Sequence, residues 1–126
     1  MLVTFAYAHC DTVCPAVVSD VLIAAARALE RRPAVLIVTL DPWRDTPSRL
    51  PAIASSWRLH ADARVLSGPP DTVDRVLNAW RIPRVRNPKS GDISHPTLVY
   101  VLDAHGRIAY VVNGGAEAIA AALRAL

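Results

Sequence analysis

Two apolar runs, Leu2 to Ala8 and Ala34 to Leu40, are rich in β-branched residues and lack the alternation of a half-exposed strand. Continuous runs of this length predict strands buried on both faces, the mark of a parallel sheet. Between them Val18, Val21, Leu22, Ala25 and Leu29 recur at helical spacing and predict a helix over about 15–31. Pro15 suits its first turn and Pro33 stops it. A polar loop, Asp41 to Pro47, leads to a second helix that starts within 47–51 and runs to about Arg58. Arg64 to Ser67 reads as a short edge strand, and Asp71 as the cap of a helix presenting Val73, Val76, Leu77 and Trp80. From Arg81 to Ser94 there is no period, which predicts a loop. Residues 97–102 and 107–112 then form a hairpin across Asp103-Ala104-His105-Gly106, before a last helix over 116–126.

The order is β-α-β-α-(β)-α-β-β-α. A βαβ unit followed by a hairpin and a helix is the layout of a thioredoxin-like α/β fold, with a mixed central sheet flanked by helices. In that layout the last hairpin pairs antiparallel with the first strand, so the start of the 97–102 strand lies beside the end of the 2–8 strand. A length of 126 residues, 52% hydrophobic, allows one domain over 1–126 with a real core. Neither repeats nor low-complexity linkers interrupt it.

Charge changes this picture little. The net charge is +3, carried by thirteen Arg and the single Lys89. The basic cluster Arg81, Arg84, Arg86 and Lys89 has no interleaved aromatics and reads as a solvated surface rather than a nucleic-acid face, with partner docking as the other reading. No apolar run approaches transmembrane length, and no signal sequence precedes the first strand. A Gly-rich phosphate loop, Ser-His-Asp spacing and paired hydrolytic carboxylates are all lacking.

Chemistry concentrates at the first strand-to-helix turn, which holds both cysteines, Cys10 and Cys14. A helix N-terminus favours a thiolate there, and the pair suits a reversible disulfide or a bis-thiolate metal site. Buried, inert cysteines are the bland alternative. Topology brings His95 to Cys10. Two thiolates and one imidazole form a soft set suited to Cu(I), whereas Zn(II) wants a fourth ligand, which His9 would supply only if it turned to the same side. His60 and His105 read as surface loop residues. Asp41 and Asp45 end the central strand, the edge where sites of α/β sheets gather, and either orient a ligand or cap the next helix and fix the loop. Trp57 and Trp80 read as packing, as does Trp43, which could also touch a partner.

In order and spacing, TFAYAHCDTVCP, VTLDPWRDTP and SHPTLVYVLDAHGRI resemble the SCO/SenC copper-chaperone family over nearly the whole chain. The resemblance implies copper ligation by Cys10, Cys14 and His95. It also implies a role in metallating the binuclear copper site of cytochrome c oxidase, or in reducing the thiols of that site. The partner would be that copper-site subunit or another copper chaperone. The implied location is the periplasm or the outer face of the bacterial cytoplasmic membrane. Two departures stand out. Pro96 follows His95 where the family usually has a small hydroxyl residue, and a cis His95–Pro96 bond would re-aim the imidazole. The family also carries an anchor and further strands before the cysteine motif, so the expectation is a late start or a trimmed form with an unpaired sheet edge. Besides the metallochaperone, two readings remain open. One is a thiol-disulfide oxidoreductase in which Cys10 attacks, Cys14 resolves and metal is incidental. The other is an inactive remnant.

Overall fold

The structure, a computed structural model, describes residues 1–9, 14–28 and 32–126. Its centre is a five-stranded sheet of β1 (Leu2–Ala6), β2 (Val35–Thr39), β3 (Ala63–Leu66), β6 (Leu98–Leu102) and β7 (Ile108–Asn113), in the order β3-β2-β1-β6-β7. The apolar runs of β1 and β2 pair in parallel, Leu2 with Val35 through Ala6 with Thr39. Every residue of β1 is buried, as expected of a strand with neighbours on both sides and helices above and below. β3 adds in parallel at one edge. β6 joins β1 antiparallel, Thr4 opposite Val99, and β7 follows through a turn in which Gly106 takes φ +74°. Thr4, fully buried, satisfies its hydroxyl by donating to the Leu98 carbonyl at 2.8 Å. That bond fixes the end of β1 against the start of β6.

Side-chain alternation assigns the helices to faces. Phe5 and its sheet neighbour Tyr100 meet Trp80 at ring-centroid distances of 5.9 and 5.0 Å, at the end of α3 (Pro70–Ala79). Tyr110, on the opposite face of the sheet, donates to the Ala125 carbonyl just past α4 (Ala116–Arg124). α1 (Cys14–Ala26) packs beside α4 on that face, burying Val17, Val18, Val21, Ala24 and Ala25. Leu29, the last residue of the predicted stripe, lies outside the described residues, and the helix stops at Ala26 rather than 31.

Of three further expectations, the start of the second helix within 47–51 holds and two change. A 3-10 turn (Pro47–Arg49) runs into α2 (Leu50–Ser56), so Pro51 falls in the first turn, where its missing N–H is harmless. Asp71 is not the cap of α3. Pro69 holds the N-cap position, and Asp71 sits inside the first turn, where its charge opposes the helix dipole. The stretch 81–94 is not wholly loop either. β4 (Val85–Arg86) and β5 (Ile93–Ser94) form a small antiparallel ladder that leads directly into His95. Two residues per strand are too few to leave a period in the sequence.

Candidate metal site

The carboxyl end of β1 leads through Tyr7, Ala8 and His9 into the cysteine segment. Cys10 lies outside the described residues, and of Cys14 only the backbone is described, at the first position of α1. The expected approach of the two sulfurs, and of each to His95, therefore also lies outside them. Among the described residues no three His, Cys, Asp or Glu side chains converge on a metal position.

His95 is described in full. It is half-buried, and its ring meets Tyr7 edge-on at 5.9 Å between centroids, three residues before Cys10. Nδ1 lies 2.9 Å from the Pro96 carbonyl, which can only accept, so Nδ1 carries the proton and the ring lone pair is on Nε2. Burial pulls the His95 pKa below its ordinary value, and the carbonyl bond offsets part of that pull. A neutral imidazole with its tautomer set by a backbone bond is the form that ligates metal. No cis peptide bond occurs among the described residues, so the His95–Pro96 bond is trans and the re-aiming expected from a cis bond does not arise.

Other candidates fall elsewhere. His9 is exposed. His105, in the β6–β7 turn, and His60, ahead of β3, lie at the opposite end of the sheet. His60 is not the surface residue expected: it is half-buried, accepts the Asp62 N–H on Nδ1, and has a buried Nε2 with no partner among the described residues.

Asp41 and Asp45 are both buried, and neither caps a helix. Asp45 accepts the Ala8 N–H at 3.0 Å and the Thr39 hydroxyl at 2.9 Å, joining the ends of β1 and β2. Asp41 accepts from Arg44 Nε on one oxygen and Arg86 Nη2 on the other. Arg86 also lies over the ring of Trp43, 4.5 Å from its centroid, and Trp43 is 51% exposed. The basic cluster is thus partly structural, since Arg84 is likewise occupied by Asp74, Asn78 and the Ile82 carbonyl. Sequence reasoning missed Tyr7, whose hydroxyl accepts the Ile93 N–H at 2.9 Å and donates to the Ile93 carbonyl at 3.3 Å. The available signal was a tyrosine inside a buried strand, because such a hydroxyl needs a partner.

A mixed five-stranded sheet flanked by helices, with His95 set beside Tyr7 just past the end of β1, defines a thioredoxin-like α/β protein. The chain belongs to the SCO1/SenC family, whose model matches residues 1–126. It is similar to Bradyrhizobium japonicum ScoI in a copper-bound structure, with 31% identity, 98% of this chain and 82% of that chain covered, and a TM-score of 0.75. Apo Sco1 from Thermus thermophilus is 25% identical over 98% of this chain and 77% of that one, with a TM-score of 0.78. Copper-bound ScoI from Arabidopsis thaliana shares the fold, with a TM-score of 0.85 at 16% identity and coverage of 99% and 83%. No curated protein matches the chain.

Proposed function

We propose that this protein is a copper metallochaperone that carries the ion as cargo between the Cys10 and Cys14 thiolates and Nε2 of His95. It passes the ion by ligand exchange to the copper-site subunit of cytochrome c oxidase or to another copper chaperone. The observation that carries this reading is His95: neutral, half-buried, with its Nδ1 proton bonded to Pro96, and set against Tyr7 just past the end of β1, three residues before Cys10 in the sequence. Family membership and the copper-bound ScoI relative support it. Two thiolates and an imidazole supply a soft, three-coordinate set, and an incoming partner thiolate can displace each ligand in turn without a bare ion forming. The location that goes with this role is the periplasm or the outer face of the bacterial cytoplasmic membrane. A Bacillus anthracis relative is a lipoprotein, and among the described residues no helix is long and apolar enough to cross a membrane.

A second reading has its own support in BsSco, a relative described with a disulfide switch and as a member of the Sco family of cytochrome c oxidase assembly proteins. In it the Cys10 thiolate attacks a partner disulfide, and Cys14 resolves the mixed disulfide. The partner gains two thiols as this chain gains a disulfide. Anaerobic Cu(I) competition on the reduced protein beside His95→Ala separates the two. One tightly held Cu(I) per chain, markedly weakened by the substitution, is the result expected of the metallochaperone. Weak binding indifferent to His95, with ready disulfide cycling, would establish the oxidoreductase instead.

A further inference from the structure

The β4–β5 hairpin has little of its own to hold it together, yet it ends one residue before His95. Its ladder is two residues long, far below what holds a free hairpin together. Val85 is 70% exposed, and residues 86–90 are exposed as well, leaving Ile93 as its one buried apolar side chain.

Two polar ties reach it from the sheet. Tyr7, 3% exposed, grips the backbone of Ile93 through both its N–H and its carbonyl. The fully buried Asp41 carboxylate binds Arg86 on β4 and Arg44, and Arg44 Nη2 goes on to donate to the Gly91 carbonyl at 2.8 Å, just ahead of β5. Gly91 takes φ +76°, which favours glycine, and a Cβ there would stand 3.1 Å from Arg44 Nη1, so a side chain would also crowd the guanidinium. Buried charge persists only when paired, so Asp41 holds both cations and through them β4 and the turn that leads into β5.

We propose that Tyr7 and the Asp41–Arg44–Arg86 cluster are positioning residues for His95, clamping the hairpin from two sides so that its imidazole is held at a fixed point beside Tyr7. This rests on the copper-site reading for its purpose, but not for its mechanics. Tyr7 is the more direct tie, because Ile93 is two residues from His95 and the tyrosine ring also lies against the imidazole. The clamp removes the entropy of a mobile ligand before copper arrives, which is the role of the shell that orients a metal-binding histidine.

The test uses the reduced, copper-free chain and two conservative variants. Tyr7→Phe keeps the ring and deletes both bonds to Ile93, while Arg86→Met removes one arm of the cluster and keeps aliphatic cover over Trp43. Long-range nitrogen–proton NMR correlations of the His95 ring report its tautomer without copper. The parent should show protonated Nδ1, and both variants should show the averaged pattern of a released ring. Cu(I) competition should then fall about tenfold in each, the lower end of such effects. In a His95→Ala background Tyr7→Phe should cost no further copper affinity, which a merely destabilising substitution would not respect. If His95→Ala itself leaves copper retention intact, the three-ligand reading fails while the NMR arm still decides the clamp. If His95→Ala weakens copper and both clamp variants leave the ring pattern and affinity unchanged, the positioning inference is overturned.

Discussion

Asp45 makes a sharp energetic prediction, because one carboxylate oxygen serves two strands. Asp45→Ala removes the acceptor of the Ala8 N–H and of the Thr39 hydroxyl. It spares the backbone of the loop, where the Asp45 N–H reaches the Asp41 carbonyl at 2.8 Å and the Asp45 carbonyl accepts from Ser67. The two lost bonds are unequal. Ala8 is exposed, so its amide finds water and the loss is about 0.5–1 kcal/mol. Thr39 is fully buried and its hydroxyl cannot rehydrate, so stranding that donor costs about 1–3 kcal/mol. Together with the small void, the variant should lose about 3 kcal/mol. A chain of 126 residues has an unfolding entropy of about 0.26 kcal/mol/K, so Tm should drop by about 11 °C. Asp45→Asn, which retains an acceptor without the charge, should lose less than half of that. Thermal melts followed by circular dichroism, with amide exchange at Ala8, measure both. An Asp45→Ala melt within about 3 °C of the parent would refute the claim that this carboxylate knits β1 to β2.

Two other predictions concern the same end of the molecule. Because burial keeps His95 neutral in the folded chain while the unfolded ring titrates near its ordinary value of about 6.5, the unfolded state binds the extra proton first. The His95 contribution to stability is therefore whole above that value and is lost as pH falls through it toward the folded pKa. Urea midpoints from pH 7.5 to 5 should fall more steeply for the reduced parent than for His95→Gln, and parallel curves would contradict this. Gly114 takes φ +68°, and a Cβ there would stand 3.2 Å from Thr97 Oγ1. Gly114→Ala should thus cost about 1–2 kcal/mol from the left-handed backbone alone, read as a shift in urea midpoint at constant slope.

The parts of the fold legible in sequence are those whose signal is local. The unbroken apolar runs of β1 and β2, the Gly106 turn and the helical spacing of Val73 and Leu77 each state their own conformation. The antiparallel pairing of β6 with β1 followed from element order alone. What stayed hidden depends on a distant partner. Nothing beside Asp41 in sequence announces that Arg86 will neutralise it, and nothing around Tyr7 names Ile93. Asp71 looked like a cap because Pro69 and Pro70 leave the helix start ambiguous by a residue or two. For the site, the sequence named three residues, and the structure supplies what orients one of them.

The β1–β6 ladder also decides when such a site can exist. Thr4 bonds Leu98 across 94 residues of chain, so the central strand gains its antiparallel neighbour only once that length of chain is available. Contacts of that separation repay their loop-closure entropy late, and folds built on them form slowly. While the chain is being made, the cysteine segment emerges well before His95 has been synthesised. The proposed three-ligand copper site is in that sense a property of the finished fold and not of the motif. An ion held there binds the folded state in preference to the unfolded one, so each cargo ion would also lock the chain against opening at β6. Release to a partner would then carry a second consequence: the emptied protein is the more easily unfolded one.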